Sequence, residues 1–193
     1  MIAKLAKAYH AAVHAASTSL IRGEKEAQLT TPVSNLLIGL SEAAKFGALR
    51  LIRETRLHHT RPDFAAELTR NGNTRQKGFI ELKAPNISVN AWSWSGRNRR
   101  QWANMHHEAG VLIVSNGVQA QLYKTGVPVG EPASLPYAEF RQWDPEPLIL
   151  LLCCFFDLNP TTVSSHDMPS RSMMQAPDPS GHCPWMLHEA AIS

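Results

Sequence analysis

The sequence predicts an α/β domain with a central mixed sheet flanked by helices. Three observations carry that reading. Two helical patterns come before any strand pattern. Two strand-like runs then flank Asn71-Gly72-Asn73. A polar helical segment separates them from two further short strand-like runs.

The elements follow in order. Residues 2 to 21 are Ala-rich, with Leu5, Tyr9, Ala12, Val13 and Ala16 at helical spacing, and Gly23 marks an end. A second helix is expected over Glu24 to Phe46, on the stripe Leu29, Val33, Leu36, Leu37 and Leu40. Pro32 is an alternative start or break for it, and Gly47 ends it. Residues 48 to 57 read as a first strand. Arg61 to Leu68 and Gly78 to Ala84 read as two more, joined through the Asn-Gly hairpin signal. Pro85 stops the second of these. Residues 86 to 96 read as a loop with two tryptophans, and 97 to 108 as a polar helix. Val111 to Ser115 and Gln119 to Lys124 read as closing strands on either side of Asn116-Gly117. From Pro160 the pattern is lost: residues 160 to 193 hold five of the thirteen prolines and six serines. The expected organisation is therefore a folded domain over 1 to 159 and a disordered tail over 160 to 193.

Composition narrows the function classes. The chain has 193 residues, 44% of them hydrophobic and 18% charged, which is enough apolar material for a core. Its net charge is only +3, but the charge is unevenly placed. Residues 50 to 100 hold eleven Lys or Arg against four acids, a local net of +7, and the remainder is −4. Such a segment suits a phosphate-facing site, and a solvated Arg-rich surface is the competing reading. The cysteines are the adjacent pair Cys153-Cys154 and the isolated Cys183, without metal spacing, which suits buried thiols in a reducing compartment. Lys4, Lys7, His10 and His14 interrupt any secretory signal. The longest apolar run, Leu148 to Phe156, is nine residues, too short for a bilayer. The expectation is a soluble, cytoplasmic protein.

The chemistry concentrates at Pro62-Asp63 and Glu81-Leu82-Lys83. Side chains alternate along a strand, so Glu81 and Lys83 share one face while Leu82 points to the other. If the hairpin pairs, Asp63 ends the neighbouring strand, and two carboxylates meet one ammonium at a sheet edge. Two hard oxygen ligands with open water positions suit Mg²⁺. An exposed strand salt bridge is the alternative reading of the triplet alone. On the next helix, Arg97, Arg100 and Gln101 fall at i, i+3 and i+4, one face able to grip phosphates. His58-His59 and His106-His107 lack zinc spacing, and neither a Gly-Lys phosphate loop nor an N-P-P-aromatic motif is present.

The strings Arg61-Pro62-Asp63-Phe64 and Gly78-Phe79-Ile80-Glu81-Leu82-Lys83-Ala84-Pro85 resemble the PD-(D/E)xK nuclease superfamily. The nearest resemblance is to the N-terminal nuclease domain of restriction-modification enzymes that fuse a nuclease to an N6-adenine DNA methyltransferase, related to type I restriction subunits. It covers roughly residues 23 to 159. Gly23-Glu24-Lys25-Glu26-Ala27-Gln28-Leu29 is similar to the family's first-helix motif and assigns a further acid to Glu26, with Glu24 as the other candidate. Arg97-Asn98-Arg99-Arg100-Gln101-Trp102 is similar to the helix after its active site. Four residues after Gln101 stands Met105, where the type I version has an aromatic; the aromatic here is Trp102.

The resemblance implies a restriction-endonuclease-like fold and Mg²⁺-dependent endonuclease activity on DNA within a restriction-modification system. Asp63, Glu81 and Glu26 would hold metal, and Lys83 would orient the attacking water. Arg97, Arg99, Arg100 and Gln101 would contact DNA. Nothing resembles a target-recognition region, so a DNA methyltransferase or specificity module would lie on another chain or have been lost. Double-strand cleavage would need two active sites, which makes a homodimer on DNA a candidate arrangement. The alternative reading is a truncated, catalytically inert DNA-binding remnant of a larger fused enzyme.

Overall fold

The computed structural model describes residues 1–18, 25–53, 56–138 and 140–158. The expected tail over 160 to 193, the helix end near Gly23, and Glu24 lie outside the described residues.

Helix α1 covers Ile2–Thr18 and α2 Lys25–Ala43. Pro32 does not break α2. It lies buried in the helix interior beside Leu29, Val33, Leu36, Leu37 and Leu40. A proline there removes one backbone hydrogen bond, and the packed apolar face holds the helix through the gap.

Among the described residues, six strands form one sheet in the order β1-β2-β3-β4-β5-β6: β1 (Ala48–Arg53), β2 (Phe64–Arg70), β3 (Asn73–Leu82), β4 (Val111–Ser115), β5 (Gln119–Lys124) and β6 (Val127–Ser134). Neighbours are antiparallel except β3 and β4, which are parallel and in register at Glu81↔Val114 and Leu82↔Ser115. That parallel pair requires a crossover. The crossover contains a short 3₁₀ turn (Ala91–Ser93) and helix α3 (Gly96–Glu108).

The β2–β3 hairpin is longer than the hydrophobic pattern indicates. Arg70 pairs with Asn73 around the two-residue turn Asn71-Gly72, whose φ values are 51° and 75°. Two left-handed residues are what a type I′ hairpin needs, and their twist matches the strands. The turn thus extends β3 through exposed Asn73–Gln76, where no apolar alternation announces it. At the other end β2 begins at Phe64 rather than Arg61.

Two elements go beyond the sequence expectation. Strand β6 contains Pro128, Gly130 and Pro132 and lies at the sheet's edge, where prolines do not interrupt a ladder on both sides. Helix α4 (Glu146–Asp157) takes up the apolar run, burying Leu148, Leu151, Leu152, Phe155 and Phe156 at i, i+3, i+4, i+7 and i+8.

The sheet separates two cores. On one face α1, α2 and α4 pack through Tyr9, Val13, Leu36, Leu40, Leu152 and Phe155 onto Phe64, Ala66, Ile80, Leu82, Ile113 and Leu122. On the other, α3 and the 3₁₀ turn pack through Trp94, Trp102 and Met105 onto Ala65, Phe79, Leu112, Val114 and Tyr123. Among the described residues no helix is long and apolar enough to cross a membrane.

Gly78 is held at φ +151°, and a Cβ there would stand 2.5 Å from the Val111 carbonyl oxygen and 2.8 Å from Phe155 Cε2. Gly78→Ala is therefore expected to destabilise the chain by about 1–3 kcal/mol through overpacking. Urea unfolding measures this, and an unchanged midpoint would contradict the packing described.

Candidate active site

The site forms where β3 ends. Strand alternation sends Ile80 and Leu82 into the core under α2, and Glu81 and Lys83 to the face carrying α3. Extending the Phe64↔Ile80 pairing by one residue sets Asp63 opposite Glu81. Three successive backbone N–H groups then find different acceptors. Leu82 N–H donates to Asp63 Oδ2 at 2.6 Å. Lys83 N–H donates to the Ser115 carbonyl at 2.8 Å. Ala84 N–H donates to Glu26 Oε1 at 3.3 Å. Asp63 and Glu26 thus close the strand end as well as flank it, and this explains why β2 starts late. A carboxylate takes over where the ladder of carbonyls stops.

Glu81 and Lys83 are 3% and 2% exposed. Lys83 Nζ donates to Glu81 Oε1 at 2.5 Å and to Gln101 Oε1 at 3.1 Å, and Gln101 Nε2 donates to Glu81 Oε1 at 2.7 Å. Helix α3 therefore delivers Gln101 to the pair and closes a three-membered polar ring. Both bonds to Glu81 fall on one of its oxygens, Oε1. The other, Oε2, is buried without a hydrogen-bond partner. A buried polar atom without a hydrogen-bond partner is costly and calls for a physical explanation; Trp102 Nε1 is another in the same core.

Electrostatics follow from burial. Desolvation pushes the Glu81 carboxyl up to about 7, against the pull of Lys83; Asp63 adds to the rise, and the Lys83 and Gln101 hydrogen bonds oppose it. Asp63 is half-buried and is also raised, first by desolvation. The Leu82 N–H and Lys83 lower it, Glu26 raises it, and Arg53 lowers it. Carboxyl groups outnumber cations here: Glu26, Asp63 and Glu81 against Lys83 and Arg53. A hard cation would answer both that excess and the open Oε2. Among the described residues, no three His, Cys, Asp or Glu side chains are grouped as a ready ligand set. Asp63 and Glu81 are neighbours, while Glu26 is engaged with Ala84.

The structure brings Asp63, Glu81, Lys83, Glu26 and Gln101 to one strand end. Arg97, Arg99 and Arg100 are exposed on the first turns of α3. Two residues join that the sequence did not single out for the site. Arg53 ends β1 opposite Phe64 and acts electrostatically on Asp63. Trp94 lies with its ring 5.4 Å from Lys83 Nζ. The two loop tryptophans diverge: Trp94 is buried, and Trp92 is 49% exposed with its Nε1 donating to the Gly126 carbonyl at 2.8 Å. The W-x-W spacing after Pro85 is the only sequence signal that could have drawn attention to them.

No protein-family model matches the chain, and no curated protein does. Among solved structures the chain is similar to a cryo-EM structure of a DrdV–DNA complex, with a TM-score of 0.54 and 18% sequence identity. The likeness covers 82% of this chain and 14% of that one. It is a likeness of fold: an α/β architecture with a mixed sheet flanked by helices. The chain spans a small part of the length of the DrdV chain it matches.

The raised Glu81 pKa has a measurable consequence. Between pH 4.5 and about 7 the native chain keeps a proton that the unfolded chain releases. This contribution to stability is complete below the unfolded value and is lost as pH rises through the folded one. In chelator, Glu81→Gln should exceed the parent in stability at pH 8 by on the order of 2 kcal/mol, and the two should converge near pH 5. Urea unfolding across that range checks it; a difference independent of pH would count against the assignment.

Proposed function

We propose that the chain is a Mg²⁺-dependent endonuclease domain that hydrolyses DNA phosphodiester bonds and acts in a restriction-modification system. The observation that carries this reading is the buried Glu81–Lys83 pair with Glu81 Oε2 left open beside Asp63. The mixed-sheet fold shared with DrdV, a protein solved in complex with DNA, supports DNA as the substrate class. So does the +7 segment around the site.

Asp63 and Glu81 would hold the metal, with Glu26 as a third acid. When bound, Mg²⁺ supplies acidity to a water and neutralises charge growing on a phosphate. The chain's own groups do the rest. An ionised Glu81 presents Oε2, because Lys83 and Gln101 fix its other oxygen. Two of the three Lys83 N–H bonds are engaged, which leaves one to orient the attacking water and meet developing negative charge. Gln101 holds acid and base in a fixed relation. Arg97, Arg99 and Arg100 are exposed on the helix that carries Gln101, and would hold phosphates flanking the site without reading sequence. Sequence recognition then falls to a DNA methyltransferase or specificity module outside these residues or lost, and cutting both strands to a homodimer on DNA.

Plasmid incubated with Mg²⁺ and the chain should be nicked, and Lys83→Ala should lower the rate by at least about 100-fold. Equal cleavage by both would sink the assignment, and DNA binding without cleavage by either would leave a binding module.

The arginines have a separate readout. Arg97→Ala and Arg100→Ala should each reduce the slope of log affinity against log salt by about 1, without changing preference among sequences. Titration of labelled duplex at several salt concentrations measures this, and unchanged slopes would remove both residues from the DNA interface.

A further inference from the structure

A lysine ammonium on a four-carbon stem is mobile unless it is held. Lys83 Nζ has two hydrogen-bond partners, Glu81 and Gln101. Its third neighbour is the ring of Trp94, 5.4 Å from the nitrogen to the ring centre. This lies within the ~6 Å over which the face of an indole attracts a cation. The indole is itself fixed. Its Nε1 donates to the Ser88 carbonyl at 2.6 Å, and its ring meets Trp102 edge-on with centroids 6.0 Å apart at 75°. Trp94 and Trp102 are both buried, and Trp102 is on the same helix as Gln101. The helix that supplies Lys83 with a hydrogen-bond acceptor therefore also braces the ring beside it. Trp92, two residues before, is turned outward to Gly126, so the ring beside the ammonium belongs to Trp94 alone of the two.

We propose that Trp94 is a positioning residue, whose indole face holds the Lys83 ammonium in the orientation that Glu81 and Gln101 define. An aromatic face attracts the charge without accepting a strong hydrogen bond. It restrains the ammonium while leaving its remaining N–H for the reacting side. The consequence for cleavage rests on the nuclease reading above; the contact itself does not. Leu at this position would fill much of the space but present no negative ring face, whereas Phe would keep one.

The experiment uses the full chain with ¹³C-labelled lysine, as wild type, Trp94→Phe and Trp94→Leu, with Lys83→Ala to assign the signal. In the wild type the Lys83 Cε protons should resonate upfield of the other lysines through the ring current. Phe should preserve part of that shift and Leu should abolish it. In single-turnover cleavage with Mg²⁺, Leu should lower the rate at saturating DNA by about tenfold, equivalent to ~1.4 kcal/mol, with half-saturation unchanged. Phe should recover most of the loss. An unshifted Lys83 signal in the wild type, or a wild-type rate in the Leu variant, would overturn the proposal. If the wild type does not cut DNA the nuclease reading fails, and the Lys83 shift decides the contact by itself. If the Leu variant does not fold, the wild-type and Phe spectra still decide it.

Discussion

Placing a carboxylate and an ammonium together inside the protein constrains almost everything around them. Glu81 and Lys83 are two residues apart in extended chain at the end of one strand, so they share a face, and that face must be covered. Removing both charges from water is unfavourable unless each finds partners. The fold meets this by crossing from β3 to β4 through α3, the connection a parallel pair demands. The same helix that covers the sheet brings Gln101 to the pair, and Trp102 to support Trp94. Topology and chemistry are thus settled by one crossover.

The strand end obeys a related constraint. The N–H groups of Leu82 and Ala84 lie beyond the β2–β3 ladder, and Asp63 and Glu26 receive them. The two acids come from different parts of the chain, the start of β2 and the first turn of α2. Their convergence ties a helix on one face of the sheet to the edge of the site on the other.

How much of this was legible follows from which forces leave a local trace. The Asn71-Gly72 turn is dictated by backbone sterics and stands out in the sequence, as does the E-x-K alternation. Strand β6 left no trace, because its register comes from pairing with β5 at an edge that tolerates Pro128 and Pro132. Buried Gln121 there donates to the Val129 and Gly130 carbonyls beside a register shift, a contact no local pattern encodes. The apolar run of α4 was visible as composition, but nine apolar residues alone do not distinguish helix from strand. Gln101 was legible as a helix-face neighbour of Arg97 and Arg100. Its hydrogen bonds to Lys83 and Glu81 depend on how α3 lies across the sheet, which is a tertiary fact.

The double duty of Asp63 separates the site's residues by what would keep them in place under mutation. Its carboxylate secures the Leu82 amide, so a chain relieved of any chemical task would still have a structural reason to retain it. Glu81 and Lys83 have no such shelter. A buried ion pair is commonly replaced by apolar side chains of similar size with no loss of stability, and often with a gain. Losing either one alone, however, strands the other as an uncompensated buried charge, so the two can be dispensed with only together.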